Sequence, residues 1–126
     1  MKQVLKTENA PKALGPYSQG IKAGCLMFLS GQLGLDPKTN DFAVGGVAEQ
    51  THQALTNLKY VIESGGSSME NVVKTTVFLK DMNDFQTMNT VYAEFFKSEP
   101  PARSTVQVAA LPKNGLVEIE AIVKAE

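Results

Sequence analysis

The chain has 126 residues, of which 12 are basic and 13 acidic, so its formal net charge is −1 at pH 7. This length suits one domain, and we expect a single domain over residues 1–126. The near-neutral charge argues against a dedicated nucleic-acid surface or a polybasic membrane patch. A single cysteine excludes an intrachain disulfide. No segment resembles a signal peptide or a membrane span, so we expect a cytoplasmic protein.

The first predicted elements are two strands joined by a tight turn. Gly15-Pro16 opens a strand over 17–23, Gly24 occupies the turn, and a second strand covers 25–32. The second strand begins with Cys25 and is strongly apolar. This position favours a packing role for the cysteine over that of a reactive thiol.

A helix, a strand and a second helix follow. Apolar residues recur at helical spacing over Val47–Ser64, which predicts the first helix. The spacing of Ser67-Ser68-Met69-Glu70 is typical of a capping box and predicts a single turn. Alternation predicts a strand over Val72–Leu79. A second helix is then predicted, capped by Asn83 or Asp84, with an apolar face formed by Phe85, Met88, Val91, Tyr92, Phe95 and Phe96.

Two further strands are predicted over 103–109 and 116–124, with turn residues between them, and we expect them to pair as a hairpin. The order is therefore β-β-α-β-α-β-β. It predicts an α/β (α+β) fold, with a mixed sheet and both helices on one face. The strands are apolar on both faces, and two helices cover only one of them. We therefore expect the other face to contact a second copy of the chain.

One arginine stands out among the candidate functional residues. Pro100-Pro101 restrict the backbone before Arg103, and a β-rich segment follows it. A guanidinium held in this way can bind a carboxylate through two contacts, although a solvated arginine explains the pattern equally well. Glu118 and Glu120 share one face of the last strand, where a polar solvent-facing surface is the simpler explanation.

The remaining polar residues indicate no metal or cofactor. His52 is the only histidine and lies off the apolar stripe of its helix, so we expect it to face solvent. No dinucleotide, P-loop or zinc-binding spacing is present. Gly31 would allow a ligand close to the backbone, but a simple bulge is an equal explanation.

Several sequence blocks together resemble the RidA (YjgF) family of imine deaminases, and the resemblance covers nearly the whole chain. The first two blocks are Thr7–Pro11 with Gly15–Gly20, and Ser30-Gly31-Gln32. The others are Val73–Phe85, then Pro101-Ala102-Arg103-Ser104, then Leu111-Pro112-Lys113 with Glu118-Ile119-Glu120-Ala121.

The resemblance implies a chorismate-mutase-like fold and a homotrimer with ligand clefts between subunits. It also implies cofactor-free hydrolysis of 2-iminobutanoate and 2-iminopropanoate to 2-oxo acids and ammonia. These reactive imines are released by pyridoxal-phosphate dehydratases. By position, Arg103 would bind the substrate carboxylate and Glu118 would position or activate water. Thr105 stands where many relatives have cysteine, so its hydroxyl or backbone N–H would act there. The other implied cleft residues are Tyr17, Ser30, Gly31 and Asn89.

The expected hairpin adds a geometric constraint. It would place Glu118 opposite Ala109, about 20 Å along the sheet from Arg103. The two side chains would then share a site only across a subunit boundary. Other functions remain open at this point: a carboxylate-binding regulatory module without turnover, an RNA-directed activity, or a chaperone-like role. The near-neutral charge makes the RNA-directed activity the weaker alternative.

Overall fold

A mixed six-stranded sheet carries two helices in the computed structural model, which describes residues 1–126. The α/β class and the two helices on one face are confirmed. The predicted order lacks the first strand, because three of its four residues are exposed and only Leu5 is buried. The strands are β1 (Lys2–Leu5), β2 (Gly20–Ala23), β3 (Leu26–Leu33), β4 (Val72–Leu79), β5 (Ala102–Gln107) and β6 (Val117–Lys124), and the helices are α1 (Val47–Ser64) and α2 (Phe85–Phe95).

The strand order across the sheet is β1-β2-β3-β6-β4-β5, and only β4 and β5 are parallel. The predicted hairpin between 103–109 and 116–124 is therefore wrong, because β4 lies between β5 and β6. The chain crosses from β4 through α2 to the parallel β5, a βαβ unit. β6 then pairs with both β3 and β4, which buries its alternate residues Val117, Ile119, Ala121 and Val123.

The hairpin of β2 and β3 is confirmed, but β2 begins at Gly20, later than predicted. The preceding Gln19 is not part of the strand, and its buried side chain forms hydrogen bonds with the backbone of Thr7, Ala10 and Pro11. The packing role predicted for Cys25 is wrong, because this residue is exposed beside the turn and β3 starts after it.

Helix α1 has the predicted bounds and packs its apolar stripe on the sheet. Its first turn is closed by Glu49, whose Oε1 accepts a hydrogen bond from the Gly46 N–H at 2.8 Å. Leu55, Leu58 and Ile62 are buried almost completely against the strands. No helix of the structure combines the length and apolarity that a membrane crossing requires.

The predicted caps after α1 are wrong in detail. A 3₁₀ turn forms at Met69–Asn71 without a side-chain cap, and Ser67 Oγ instead donates to the Lys124 carbonyl at 2.7 Å. Before α2, neither Asn83 nor Asp84 acts as the capping side chain. Asp81 takes that role, because its Oδ1 accepts a hydrogen bond from the Asn83 N–H at 2.8 Å.

The sheet face away from the helices is partly apolar and uncovered in this chain. Phe28 and Val106 are 45% and 44% exposed there, and Phe78 and Ile122 are half-buried between them. Polar residues share the same face: Lys74, Thr76, Ser104, Glu118 and Glu120. We call this surface the open sheet face.

Candidate active site

Arg103 lies on β5 and faces helix α2. It pairs in register with Thr75 of β4, whose side chain is fully buried beneath the helix. The guanidinium carbon lies 4.7 Å from the ring centre of Tyr92 and 5.6 Å from that of Phe85. A cleft of about 410 Å³ opens beside Arg103, and we call it the Arg103 cleft. Its lining residues are Asn89, Tyr92, Ala93, Phe96, Pro100, Pro101 and Arg103.

Two buried polar atoms near Arg103 have no hydrogen-bond partner within the chain. They are Oδ1 of Asn89, which lines the Arg103 cleft, and Oγ1 of Thr105, two residues further along β5. Thr51 Oγ1 in α1 is a third such atom. An unsatisfied buried polar group costs about 1–3 kcal/mol, so such groups commonly mark a ligand or partner contact. The arrangement suits an incoming polar ligand beside the Arg103 guanidinium.

Glu118 belongs to a second cleft of about 210 Å³, which we call the Glu118 cleft. Gly31 of β3 lies against the carboxylate, so that a Cβ added there would be 2.8 Å from Glu118 Oε2. The register shift between Leu29 and Gln32 puts Gly31 in a bulge. Glycine is required there because the Glu118 side chain occupies the space that a Cβ would fill. The cleft is lined by Pro11, Lys12, Leu14, Tyr17, Gln19, Gly31, Gln32, Leu33, Leu35, Pro112, Lys113 and Glu118.

The pKa of the Glu118 carboxyl is raised above its ordinary value. The larger cause is burial, which disfavours the charged form, and the second is the like charge of Glu120 on the same strand face. A carboxylate with a raised pKa is a stronger base than an ordinary surface glutamate. Glu118 is therefore better suited to accept a proton than an ordinary surface glutamate.

Arg103 and Glu118 of one chain lie on opposite faces of the sheet. Arg103 pairs with Thr75, which pairs with Ala121, so these three residues share the helix-covered face. Glu118 is three positions from Ala121 and therefore points to the other face. The two residues line different clefts, as predicted, but the reason is strand alternation and not the predicted hairpin register.

The other candidate residues divide between these two regions. Tyr17 and Gly31 line the Glu118 cleft, whereas Asn89 lines the Arg103 cleft. Ser30 precedes Gly31, and its hydroxyl donates to the Ser18 carbonyl at 2.6 Å. Thr105 lies beside Arg103 on β5 without lining its cleft.

Sequence reasoning missed several residues of both clefts. The apolar pattern of α2 predicts only a packing role for Tyr92, although its spacing of seven residues from Phe85 puts both rings on one side of the helix. Lys12 gives no local signal, and Lys113 lies in one of the family blocks but has no role assigned from the sequence. His52 is exposed as predicted, with its ring 5.2 Å from that of Phe95 and outside both clefts.

Comparison with known proteins identifies the family. The sequence profile described as Endoribonuclease L-PSP matches residues 7–125. The chain belongs to this family. The predicted kinship with its RidA members is confirmed by relatives of about 50% identity over nearly the whole chain that are named as imine deaminases.

Close L-PSP relatives occur in archaea, mammals and bacteria. A RutC family protein of Pyrococcus horikoshii is 54% identical over 126 residues, which are 100% of both chains. A 2-iminobutanoate/2-iminopropanoate deaminase of Bos taurus is 50% identical over 122 residues, covering 97% of this chain and 89% of the relative. The crystal structure of Escherichia coli TdcF with bound serine superposes with a TM-score of 0.93 at 42% identity, covering 97% of this chain and 98% of that one.

Proposed function

We propose that this L-PSP protein hydrolyses small 2-imino acids, such as 2-iminobutanoate and 2-iminopropanoate, to 2-oxo acids and ammonia. The observation that carries the proposal is the environment of Arg103. The guanidinium, which lies against the rings of Tyr92 and Phe85, opens onto a cleft lined by Asn89. Asn89 Oδ1 is buried there without a hydrogen-bond partner, and so is Thr105 Oγ1, two residues from Arg103 on β5. Such a cleft suits a small ligand with one carboxylate and one further polar group.

The chemistry follows from the groups available. Arg103 anchors the substrate carboxylate through two contacts and thereby fixes the neighbouring C=N carbon. Protonation of the imine nitrogen makes that carbon electrophilic. Glu118 accepts a proton from water as the oxygen attacks the carbon. Glu118 then returns its proton to the amino nitrogen of the tetrahedral adduct. The C–N bond breaks to release ammonia, and the hydroxyl loses its proton to solvent as it becomes the carbonyl of the 2-oxo acid. The products have the atoms of the imino acid plus one water.

The proposed site needs a second copy of the chain. Arg103 and Glu118 face opposite sides of one sheet, so a substrate of four carbons cannot contact both within a single chain. The open sheet face exposes Phe28 and Val106 and is the surface that a second copy would cover. We propose a homotrimer in which the Arg103 cleft of one subunit meets the Glu118 cleft of the next.

Two relatives support the substrate class. The bovine relative is named for the deamination of 2-iminobutanoate and 2-iminopropanoate, and E. coli TdcF has been crystallised with bound serine, a small amino acid with one carboxylate. The proposed cellular role is the removal of reactive imines released by pyridoxal-phosphate dehydratases. The proposed mechanism uses no cofactor, because imines already hydrolyse in water. A general base that activates water adds a rate acceleration of about 10²–10⁴-fold, which suffices.

A coupled assay tests the proposal. Threonine dehydratase generates 2-iminobutanoate in situ, and the release of 2-oxobutanoate is followed with and without this protein. Arg103→Ala is expected to abolish the acceleration. Arg103→Lys keeps the charge but loses the planar fork, so it should retain only a small part of the acceleration. Lys97→Ala, at an exposed position outside both clefts, is the matched control. Acceleration that survives both Arg103 variants contradicts the mechanism, and binding of 2-oxobutanoate without acceleration would favour a regulatory module.

A further inference from the structure

The guanidinium of Arg103 rests on aromatic rings presented by helix α2. Phe85 and Tyr92 are seven residues apart, which is two helical turns, and both rings face the arginine. Asn89 lies between them on the same side of the helix. One face of α2 thus supplies two π surfaces for the cation and one polar atom for the cleft.

The hydroxyl of Tyr92 is held by a hydrogen bond with Thr75 of the underlying sheet. The Tyr92 hydroxyl and Thr75 Oγ1 are 2.7 Å apart in a buried hydrogen bond. Thr75 is 0% exposed and Tyr92 is 6% exposed. Thr75 is also the residue of β4 that pairs in register with Arg103. The bond therefore connects the Tyr92 ring, which contacts the guanidinium, to β4 at the residue that pairs with Arg103.

We propose that Thr75, Tyr92 and Phe85 are positioning residues for Arg103. Together they hold the guanidinium in the orientation that the substrate carboxylate requires. This inference rests on the proposed function for the identity of the carboxylate, but the positioning itself is a property of the free protein.

The physical advantage of an aromatic support is that it leaves the arginine donors free. A carboxylate support would accept the same N–H groups that a substrate carboxylate needs and would neutralise the charge. A ring face attracts the cation through its quadrupole without accepting those in-plane N–H bonds. Burial raises the pKa of the Tyr92 phenol, so the ring stays neutral and does not compete as an anion.

Four variants separate the roles of ring and hydroxyl. Tyr92→Leu removes the π face, Phe85→Leu removes the second ring, and Tyr92→Phe keeps the ring but loses the bond to Thr75. Thr75→Val removes the same bond from the other side. The matched control is Phe95→Leu, which deletes an aromatic ring of α2 that contacts His52 and not Arg103.

Affinity for 2-oxobutanoate, measured by calorimetry, is the first readout. We expect Tyr92→Leu to raise Kd by about 3- to 30-fold, the range of a partly desolvated cation–π contact. Phe85→Leu should have a smaller effect because its ring is further away. KM should rise more than kcat falls. The double variant Tyr92→Phe/Thr75→Val should equal either single variant, because both singles remove one shared bond.

Order of the arginine in the absence of ligand is the second readout. The ¹⁵N order parameter of Arg103 Nε is expected to fall in Tyr92→Leu and to stay at the wild-type value in Phe95→Leu. If Tyr92→Leu fails to fold, the Nε order parameter is measured in Phe85→Leu, because Phe85 is only half-buried and its replacement disturbs the core less. Unchanged Nε order in Tyr92→Leu and Phe85→Leu overturns the inference. Loss of order in a protein that neither binds 2-oxobutanoate nor hydrolyses imines would instead overturn the proposed function and leave the positioning role intact.

Discussion

Gly31 and Glu118 are in direct contact across two neighbouring strands. A Cβ built on Gly31 would lie 2.8 Å from Oε2 of Glu118 and 2.9 Å from its Cδ. No ordinary side chain fits at position 31 while the carboxylate keeps its place. Gly31, in the β3 bulge, therefore determines the position of the Glu118 carboxylate, the proposed base.

Gly31→Ala is expected to displace the Glu118 carboxylate with little loss of stability, because the clash is with the far end of a flexible side chain. Misplacement of a catalytic group by about 1 Å can cost about 10²-fold in rate, so we expect kcat in the imine assay to fall by about 10- to 100-fold. Gly46→Ala is the matched control, since no atom lies within 4 Å of a Cβ built there. Equal kcat in both variants would contradict the proposed role of Glu118.

Glu118 should set the acidic limb of the pH–rate profile. Burial and the charge of Glu120 raise its pKa, so the base form is lost at a higher pH than for an ordinary glutamate. Glu120→Gln removes the like charge and should move the acidic limb of kcat/KM to lower pH. The shift should be partial, because burial is the larger cause. If the acidic limb of the kcat/KM profile keeps its pH in both Glu120→Gln and Glu118→Gln, the ionisation belongs to another group.

The same raised pKa predicts a stability cost. The folded state binds a proton at Glu118 more tightly than the unfolded chain, so the stability from this group is present at low pH and declines as pH rises through the folded pKa. Glu118→Gln is therefore expected to melt at or above the wild-type temperature at pH 7, and to lose this advantage at pH 4. A lower Tm at pH 7 would indicate that the ionised carboxylate stabilises the fold.

Mixed oligomers test whether a site is shared between subunits. Arg103→Ala and Glu118→Gln homo-oligomers should each be inactive. Co-refolded at equal amounts, they should recover up to about a quarter of wild-type activity, because a cleft is intact only where each subunit donates its unmutated residue. Absence of recovery, with exchange verified by mass, would contradict the shared site. Light scattering on the wild type provides the subunit number.

Thr105 should show opposite effects on stability and on binding. Its Oγ1 is buried without a partner, so Thr105→Val is expected to stabilise the fold by about 1 kcal/mol. The same change should weaken 2-oxobutanoate binding, because we expect the assembled site to extend from the Arg103 cleft to this hydroxyl, two residues along β5. Thr87→Val, at an exposed position of α2, controls for the effect of the side-chain shape on the melting temperature. A destabilised Thr105→Val protein would show that the hydroxyl already has a partner in the assembly.

The sequence predicted those parts of the fold that depend on local pattern. Apolar residues at helical spacing from Val47 to Ile62, followed by Gly65-Gly66, predicted the bounds of α1, and alternation located β4 and most of β6. These element predictions are confirmed because period and composition are properties of consecutive residues. The roles of Arg103 and Glu118 came from the family blocks and stay a proposal.

The errors arose where distant segments decide the structure. Nothing local shows that β6 lies between β3 and β4, and nearness in sequence favours a pairing of β5 with β6 that the structure does not form. The connection between them contains Lys113 and Asn114 with φ of 55° and 60°, which only the structure shows. The bulge at Gly31 and the ring of Tyr92 beneath Arg103 are likewise products of tertiary contact.

The central place of β6 has a consequence for how the protein is made. Among the six strands it emerges last from the ribosome, yet it bridges β3 on one side and β4 on the other. Until β6 arrives, the β1–β3 meander and the β4–α2–β5 unit have no strand to join them and expose unpaired edges. Assembly of the sheet is therefore a late, long-range event, which makes folding slow for a chain of this size. A nascent chain stalled before Val117 should remain sensitive to protease, and release of β6 should make it resistant.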